Sequence, residues 1–345
     1  MGTWLQLGLE TAVALALGLV AGSAAPVRAV LLAGAAPAAR YALRIGITLL
    51  GARLTLGQLI ETGGASVVAI VVVVGVGLLL GTMLARRFGV RSPLSALITV
   101  GMAICGNSAI LALAPIVRAP HRETAYAVST ITIFGLVGVL LLPLLGAALG
   151  LSDAVFGTWA GLAVNDTAQV VATGYAYSPA AGDVATVVKL TRNLAILPVL
   201  LGATWLTVRA ARDAGAGAEG VVAGSSIGLV ARAVPWFVIG FVVFASLRTA
   251  GLLDGTLPTG GTVADLCSVA AAVLILVALA GVGISTDIRA MIGVGAGPFL
   301  LGAVMWILMG LLALALAAAV AGSAGVAGAS VGGAGMAFAP VYHGG

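Results

Sequence analysis

The sequence predicts an all-α polytopic membrane protein, and three observations predict it. Of its 345 residues, 61% are hydrophobic and only 8% charged, with a mean hydropathy of +1.21; water-soluble globular domains are far more polar. Apolar runs of about 20 residues recur along the whole length, each able to cross a hydrocarbon layer of about 30 Å as a helix. Two further apolar segments, 94–117 and 155–176, are broken by Gly101, Gly106, Asn107 and Ser108 in the first and by Asn165, Asp166 and Thr167 in the second. Irregular backbone at membrane depth is tolerated only where it is buried in protein or lines a cavity, so both breaks belong inside the bundle.

Hydropathy places about eight spanning helices, near 8–23, 41–58, 65–85, 121–149, 183–208, 225–249, 263–285 and 294–320. The flank of the first, MGTWLQLGLE, carries no positive charge, so a cleaved signal peptide is not expected. The whole chain reads as one membrane domain. Residues 41–149 form a first unit and 155–320 a second; 210–224 is a small-residue cytoplasmic connector, and 322–345 a Gly/Ala/Ser-rich tail.

Loop charge sets the orientation, because Lys and Arg in short loops collect on the cytoplasmic side. With 94–117 and 155–176 as re-entrant hairpins, Arg28, Arg40, Arg86, Arg87, Arg91, Arg118, Arg122, Arg209, Arg212 and Arg289 share one face. Glu61, Asp153, Asp183 and Asp254 share the other, with Arg248 the exception. The net charge of +5 is spread over loops without a block of like charge, which gives no footprint for nucleic acid.

An internal repeat fits this topology. GMAICGNSAILA at 101–112 aligns without a gap on GLAVNDTAQVVA at 161–172, and each is followed by a proline-containing turn, an acidic residue and a long helix with a Leu-Pro pair. A fainter echo pairs GARLT at 51–55 with GVGIS at 281–285. Opposed passage of the two halves through the membrane is the inverted-repeat plan of many secondary transporters.

The chemistry concentrates between Gly161 and Asn193. Ionisable groups in hydrocarbon are rare and point to function, with a partner to be named; the candidates here are Asp166 on one side and Lys189 with Arg192 on the other. Arg192 lies nine residues past Asp183, about 13–14 Å below the outer surface at 1.5 Å per residue. Its planar fork suits carboxylate, sulfate or phosphate oxygens, and the alternative is a buried ion pair with Asp166. Lys189 shares its helical face and either guards the entrance or snorkels. Asp166, beside Asn165 and Thr167, binds Na⁺ through oxygen ligands or carries a proton. Gly106, Asn107 and Ser108 offer an anion the amides of a helix start, or the side chains merely cap the second half-helix. Gln169 and Asn193 complete the candidate substrate set. Arg44 and Arg53 read as interface or pairing residues.

No nucleophile elbow, phosphate-binding loop, HExxH or CxxC motif is present, so an enzyme is not expected. Cys105 and Cys267 lie in apolar segments and read as small hydrophobes, and neither His121 nor His343 suggests a metal site. No cofactor is expected beyond a carried Na⁺.

Four blocks, YALRIGITLLGARLT at 41–55, ICGNSAILA at 104–112, VNDTAQVVATGYAYSP at 164–179 and VVKLTRN at 187–193, occur in an order that resembles the YeiH-type family of bacterial inner-membrane proteins, named as sulfate exporters. Members of that family commonly carry a His-Glu pair where this chain has Asn165-Asp166, which keeps the acid and removes the imidazole. The resemblance implies anion export and, through the wider bile-acid and anion carrier-like group, an elevator-type homodimer in the bacterial inner membrane. The resulting expectation is a secondary carrier of a small anion, sulfate or sulfonate-like or a small organic anion, coupled to H⁺ or Na⁺. In it, one repeat unit moves against the helices at 41–85 and 263–320. An anion channel and a membrane subunit of an ion-pumping complex are the alternatives.

Overall fold

A computed structural model describes residues 38–39, 41–213, 236–256, 261–285 and 296–330. The span expected at 8–23, the start of the one at 225–249, most of the connector, and the tail from 331 lie outside the described residues. The described chain is helical, with no β-strand in it: α1 (41–50), a 3-10 turn Gly51–Arg53, α2 (Leu56–Arg87), α3 (Leu94–Ala103), α4 (Asn107–Leu113), α5 (His121–Ala148), α6 (Asp153–Ala163), α7 (Thr167–Tyr177), α8 (Pro179–Asn193), α9 (Ile196–Asp213), α10 (Trp236–Thr249), α11 (Val263–Ser285) and α12 (Ala296–Ser330).

Among the described residues, four stretches are long and apolar enough to cross a membrane: Leu56–Arg87, His121–Ala148, Pro179–Arg209 and Ala296–Ala321. The third, containing α8, is 61% buried, against 28–44% for the others. It is therefore the central helix of the described bundle.

Several helix boundaries differ from the sequence expectation. The span expected at 41–58 is broken: α1 ends at Leu50, Leu54 is extended (φ −116°, ψ 146°) and Thr55 restarts the chain as the N-cap of α2, in a reciprocal capping box with Gln58. A Thr-x-x-Gln box satisfies two otherwise orphaned donors at once, and hydropathy is blind to it. The helix expected at 183–208 begins earlier, at Pro179, with Ser178 as its cap, and pauses at Leu194–Ala195 ahead of Pro198, whose ring and missing N–H disfavour an unbroken helix. At the other end α9 runs on to Asp213 and α12 to Ser330, into the expected connector and tail.

The buried apolar side chains fall into three clusters. The largest joins α2 to α6, α8, α9 and α12. A small one joins Ala52 of the 3-10 turn to α10 and α11 through Leu253 and Ala264. Between them lies a seam where Ile47, Phe241 and Ile275 of α1, α10 and α11 meet Val139, Val171 and Leu190 of α5, α7 and α8. Helices α2 and α12 pack mainly against the interrupted segments, and the start of α2 also touches α10, where the Leu56 N–H meets the Thr249 hydroxyl.

Glycines set how closely α6 approaches α8. A Cβ on Gly157 would stand 2.6 Å from the Ala181 carbonyl oxygen, and one on Gly161 would stand 2.7 Å from Val188 Cβ. In lipid, where helix association rests on van der Waals packing, such small residues let backbones touch. Gly161→Leu is expected to separate the two helices and destabilise the fold by about 1–3 kcal/mol or more; a monodisperse size-exclusion peak with an unchanged unfolding midpoint in detergent would contradict this.

Candidate functional site

Both interrupted segments stop and restart at positions that the gapless alignment pairs. The first halves end at Ala103 and Ala163, and the second halves begin at Asn107 and Thr167. The mechanics differ. The first break turns at Gly106, with φ +64° and ψ −122°, a region that disfavours any side chain; a Cβ there would lie 3.2 Å from Ile131 and 3.3 Å from the Asn165 backbone. The second runs extended through Val164 and Asp166, and the Asp166 carboxylate accepts from the Ala168 N–H at 2.9 Å. Gly106 lies against Asn165, so the two breaks touch.

Where a helix stops inside a protein, its last carbonyls lose their partners, and an unpaired buried carbonyl costs about 1–3 kcal/mol. Two cations from α8 meet this demand. Lys189 Nζ donates to the carbonyls of Ile104 (3.1 Å) and Val164 (3.2 Å). Arg192 donates through Nη1 to Leu162 (2.6 Å) and Val164 (3.3 Å), and through Nη2 to Met102 (3.2 Å), Ala103 (3.0 Å) and the Asn165 side-chain oxygen (3.2 Å). Both residues are fully buried. The two cations therefore sit on the negative ends of α3 and α6, where a helix presents about half an elementary charge. The acceptors come in pairs that the repeat equates, Met102 with Leu162 and Ile104 with Val164.

The alternative reading of Arg192, a buried ion pair with Asp166, is not what the structure contains. Arg192 hydrogen-bonds to carbonyls and Asn165, whereas Asp166 bonds to Ala168 and, at 3.3 Å, to the Asn107 amide nitrogen. Asn107 Nδ2 also reaches the Thr132 hydroxyl of α5 at 3.5 Å, and Gln169 Nε2 donates to the Thr132 carbonyl at 2.9 Å. Thr132 is thus a hub that hydropathy hid inside a long apolar run. Gly135, one turn on, admits Gln169: a Cβ there would overlap the Gln169 amide oxygen at 1.8 Å. A polar residue followed three positions later by glycine was the available signal.

The candidate residues separate by exposure. Asn165, Gln169, Lys189, Arg192 and Asn193 are buried; Asn107, Asp166 and Thr167 are half-buried; Ser108 is exposed. Four buried polar atoms at the site have no hydrogen-bond partner: Asn107 Oδ1, Gln169 Oε1, Asn193 Oδ1 and Arg192 Nε. Among the described residues, no group of three or more His, Cys, Asp or Glu side chains is placed to hold a metal ion. Cys105, next to the first break, is buried and free, and Cys267 is half-buried and free. The remaining singled-out residues lie elsewhere. The Arg44 guanidinium lies 6.0 Å from the Tyr41 ring centroid. Arg53 pairs with Asp183, which had read as a loop acid.

Comparison with known proteins agrees with the blocks that frame this site. The family described as Conserved hypothetical protein 698 matches residues 5–302. A UPF0324 membrane protein of Clostridium tetani is 32% identical over 271 residues, 77% of this chain and 76% of its own length. One from Streptococcus mutans is 33% identical over 288 residues, 82% of each chain, and one from Streptococcus agalactiae is 32% identical over 312 residues, 89% of each. No solved structure matches the chain. The YeiH-type proteins that the sequence blocks resemble are the same family. The chain is a membrane protein of the Conserved hypothetical protein 698 family, to which the UPF0324 membrane proteins also belong.

Proposed function

We propose that this protein is a multi-pass secondary carrier of a small anion in a bacterial inner membrane, coupled to H⁺ or Na⁺. One observation carries the reading. At the meeting of two interrupted helices in a strongly apolar chain, two buried cations, Lys189 and Arg192, sit on the helix ends while a single carboxylate, Asp166, caps the second break, on a patch whose rim at Ser108 is exposed. Such an excess of positive charge away from bulk water favours an anion.

Roles follow from exposure and bonding. Asn107, Ser108 and Thr167 line the accessible side and contact the anion, and the buried turn at Gly106 sets their backbone. Lys189 and Arg192 hold the break from behind and supply the field. Asp166 takes the coupling ion: its carboxylate and the Thr132 hydroxyl both accept from the Asn107 amide nitrogen, and the Asn107 carboxamide oxygen is unpartnered, hard oxygen ligands of the kind Na⁺ uses. Asn165, Gln169 and Asn193 position these groups. The paired acceptors on Lys189 and Arg192 support an inverted repeat, and the apolar seam supports an elevator motion of the body bearing the breaks, in a homodimer, against the group containing α1, α10 and α11.

The test is a thermal-shift and uptake screen of purified protein against sulfate, sulfite, sulfonates, bicarbonate and dicarboxylates, with and without Na⁺ and across pH. One anion class is expected to raise the unfolding temperature in a concentration-dependent way, as any ligand selective for the folded state does, and to move into vesicles only under an H⁺ or Na⁺ gradient. No shift with any anion would defeat the proposal; large uncoupled currents would instead make it a channel.

A further inference from the structure

We infer that Arg53, Asp183 and Tyr175 form a latch across the seam, holding the body that bears the interrupted helices in one register against the group of α1, α10 and α11. Arg53 belongs to that second group. Its 3-10 turn is seated on α10, since a Cβ on Gly51 would stand 2.2 Å from the Phe241 carbonyl oxygen. The turn's exit is pinned where the Leu56 N–H donates to the Thr249 hydroxyl at 2.8 Å. Asp183 and Tyr175 belong to the first body, on α8 and α7.

The three side chains interlock. Arg53 Nε lies 3.1 Å from one Asp183 carboxylate oxygen and 3.3 Å from the other. The Tyr175 hydroxyl donates to the same carboxylate. The Tyr175 ring is held between its neighbours: the Arg53 guanidinium lies 5.8 Å from its centroid, and a Cβ on Gly182 would come within 2.5 Å of the ring. Around this cluster the seam is apolar, with Ile47, Val139, Val171, Ala172 and Ile275 in it.

Apolar contacts are non-directional and tolerate sliding, whereas a carboxylate held by a guanidinium and a phenol fixes a position. A displacement of one helical turn, about 5.4 Å, would part Arg53 from Asp183 while leaving apolar side chains opposite apolar side chains. Asp183 shares α8 with Lys189 and Arg192, so the latch and the helix breaks move as one piece. Its use in transport rests on the carrier reading above; its existence as a lock on the seam does not.

The reporter is Ala172→Cys, at a seam position only 1% exposed, labelled by maleimide in vesicles and read by mass spectrometry on the peptide containing residue 172. Labelling of a buried thiol tracks the population of the open state. Arg53→Gln or Asp183→Asn is expected to speed labelling on the order of tenfold, the scale of one partly buried charged contact. The reversed pair Arg53→Asp with Asp183→Arg is expected to slow it again. Unchanged labelling in the single variants, or a reversed pair as fast as they are, overturns the latch. If the reporter protein does not fold, deuterium exchange of residues 51–55 in Arg53→Gln alone reads the same opening, and exchange equal to the unmodified protein overturns it too. Labelling that responds while no anion is transported keeps the latch and removes the carrier.

Discussion

Arg192→Ala is expected to unfold the site before it affects any transport step. The guanidinium serves five acceptors from two interrupted segments. Alanine would leave the carbonyls of Met102, Ala103 and Leu162, all on buried residues, without the partner that now meets them. Removing one side of a buried charged network costs about 3–5 kcal/mol, a large share of the 5–15 kcal/mol that holds a domain together. Arg192→Lys should recover only part of this, because an ammonium with three donors cannot serve the five acceptors that the planar fork spans. Lys189→Met, which releases two carbonyls, should be milder, at about 1–3 kcal/mol. Unfolding midpoints in detergent, with the fraction of monodisperse protein, give the measurement. An Arg192→Ala protein that unfolds with the unmodified protein yet has lost all anion response would return the guanidinium to the role of direct ligand, which the sequence alone suggested.

That contrast shows where the sequence is informative. The two interruptions were legible, because glycine and amide residues inside long apolar runs leave a mark that hydropathy and a gapless repeat both detect, and their boundaries fall at paired positions. The partners of Arg192 were not. Backbone carbonyls have no letter of their own, so a cation serving helix ends reads like a cation awaiting a substrate. The break at 51–55 was written in the Thr55–Gln58 box, but an apolar stretch on either side outweighed it. Asp183 looked like a loop acid because its partner, Arg53, is far away in sequence and close only across the folded seam. Thr132 was masked for the opposite reason: a hydroxyl inside an apolar helix, like that of nearby Thr130, conventionally bonds back to its own helix. This one does so too, donating to Val128 at 2.8 Å, yet it also accepts from Asn107.

Asp166→Asn isolates the coupling step. The substituted side chain is nearly the same shape and retains an oxygen for the Ala168 N–H, so the cap on α7 and the backbone of the second break should survive; caps of this kind change stability by only about 0.5–2 kcal/mol even when deleted outright. What disappears is the charge. With Lys189 and Arg192 unchanged and no carboxylate opposite them, the site gains one unit of positive charge, and the partner for H⁺ or Na⁺ is gone. Anion binding is therefore expected to persist or tighten, while gradient-driven uptake falls by about 10–100-fold, the scale of one lost charge-assisted contact. Exchange of labelled for unlabelled anion across the vesicle, which needs no net coupling, should continue. The comparison of driven uptake with exchange decides the matter. Equal loss of both, in a protein with an unchanged unfolding midpoint, would place Asp166 among the groups that hold the anion, and equal retention of both would move the coupling site away from the helix breaks altogether.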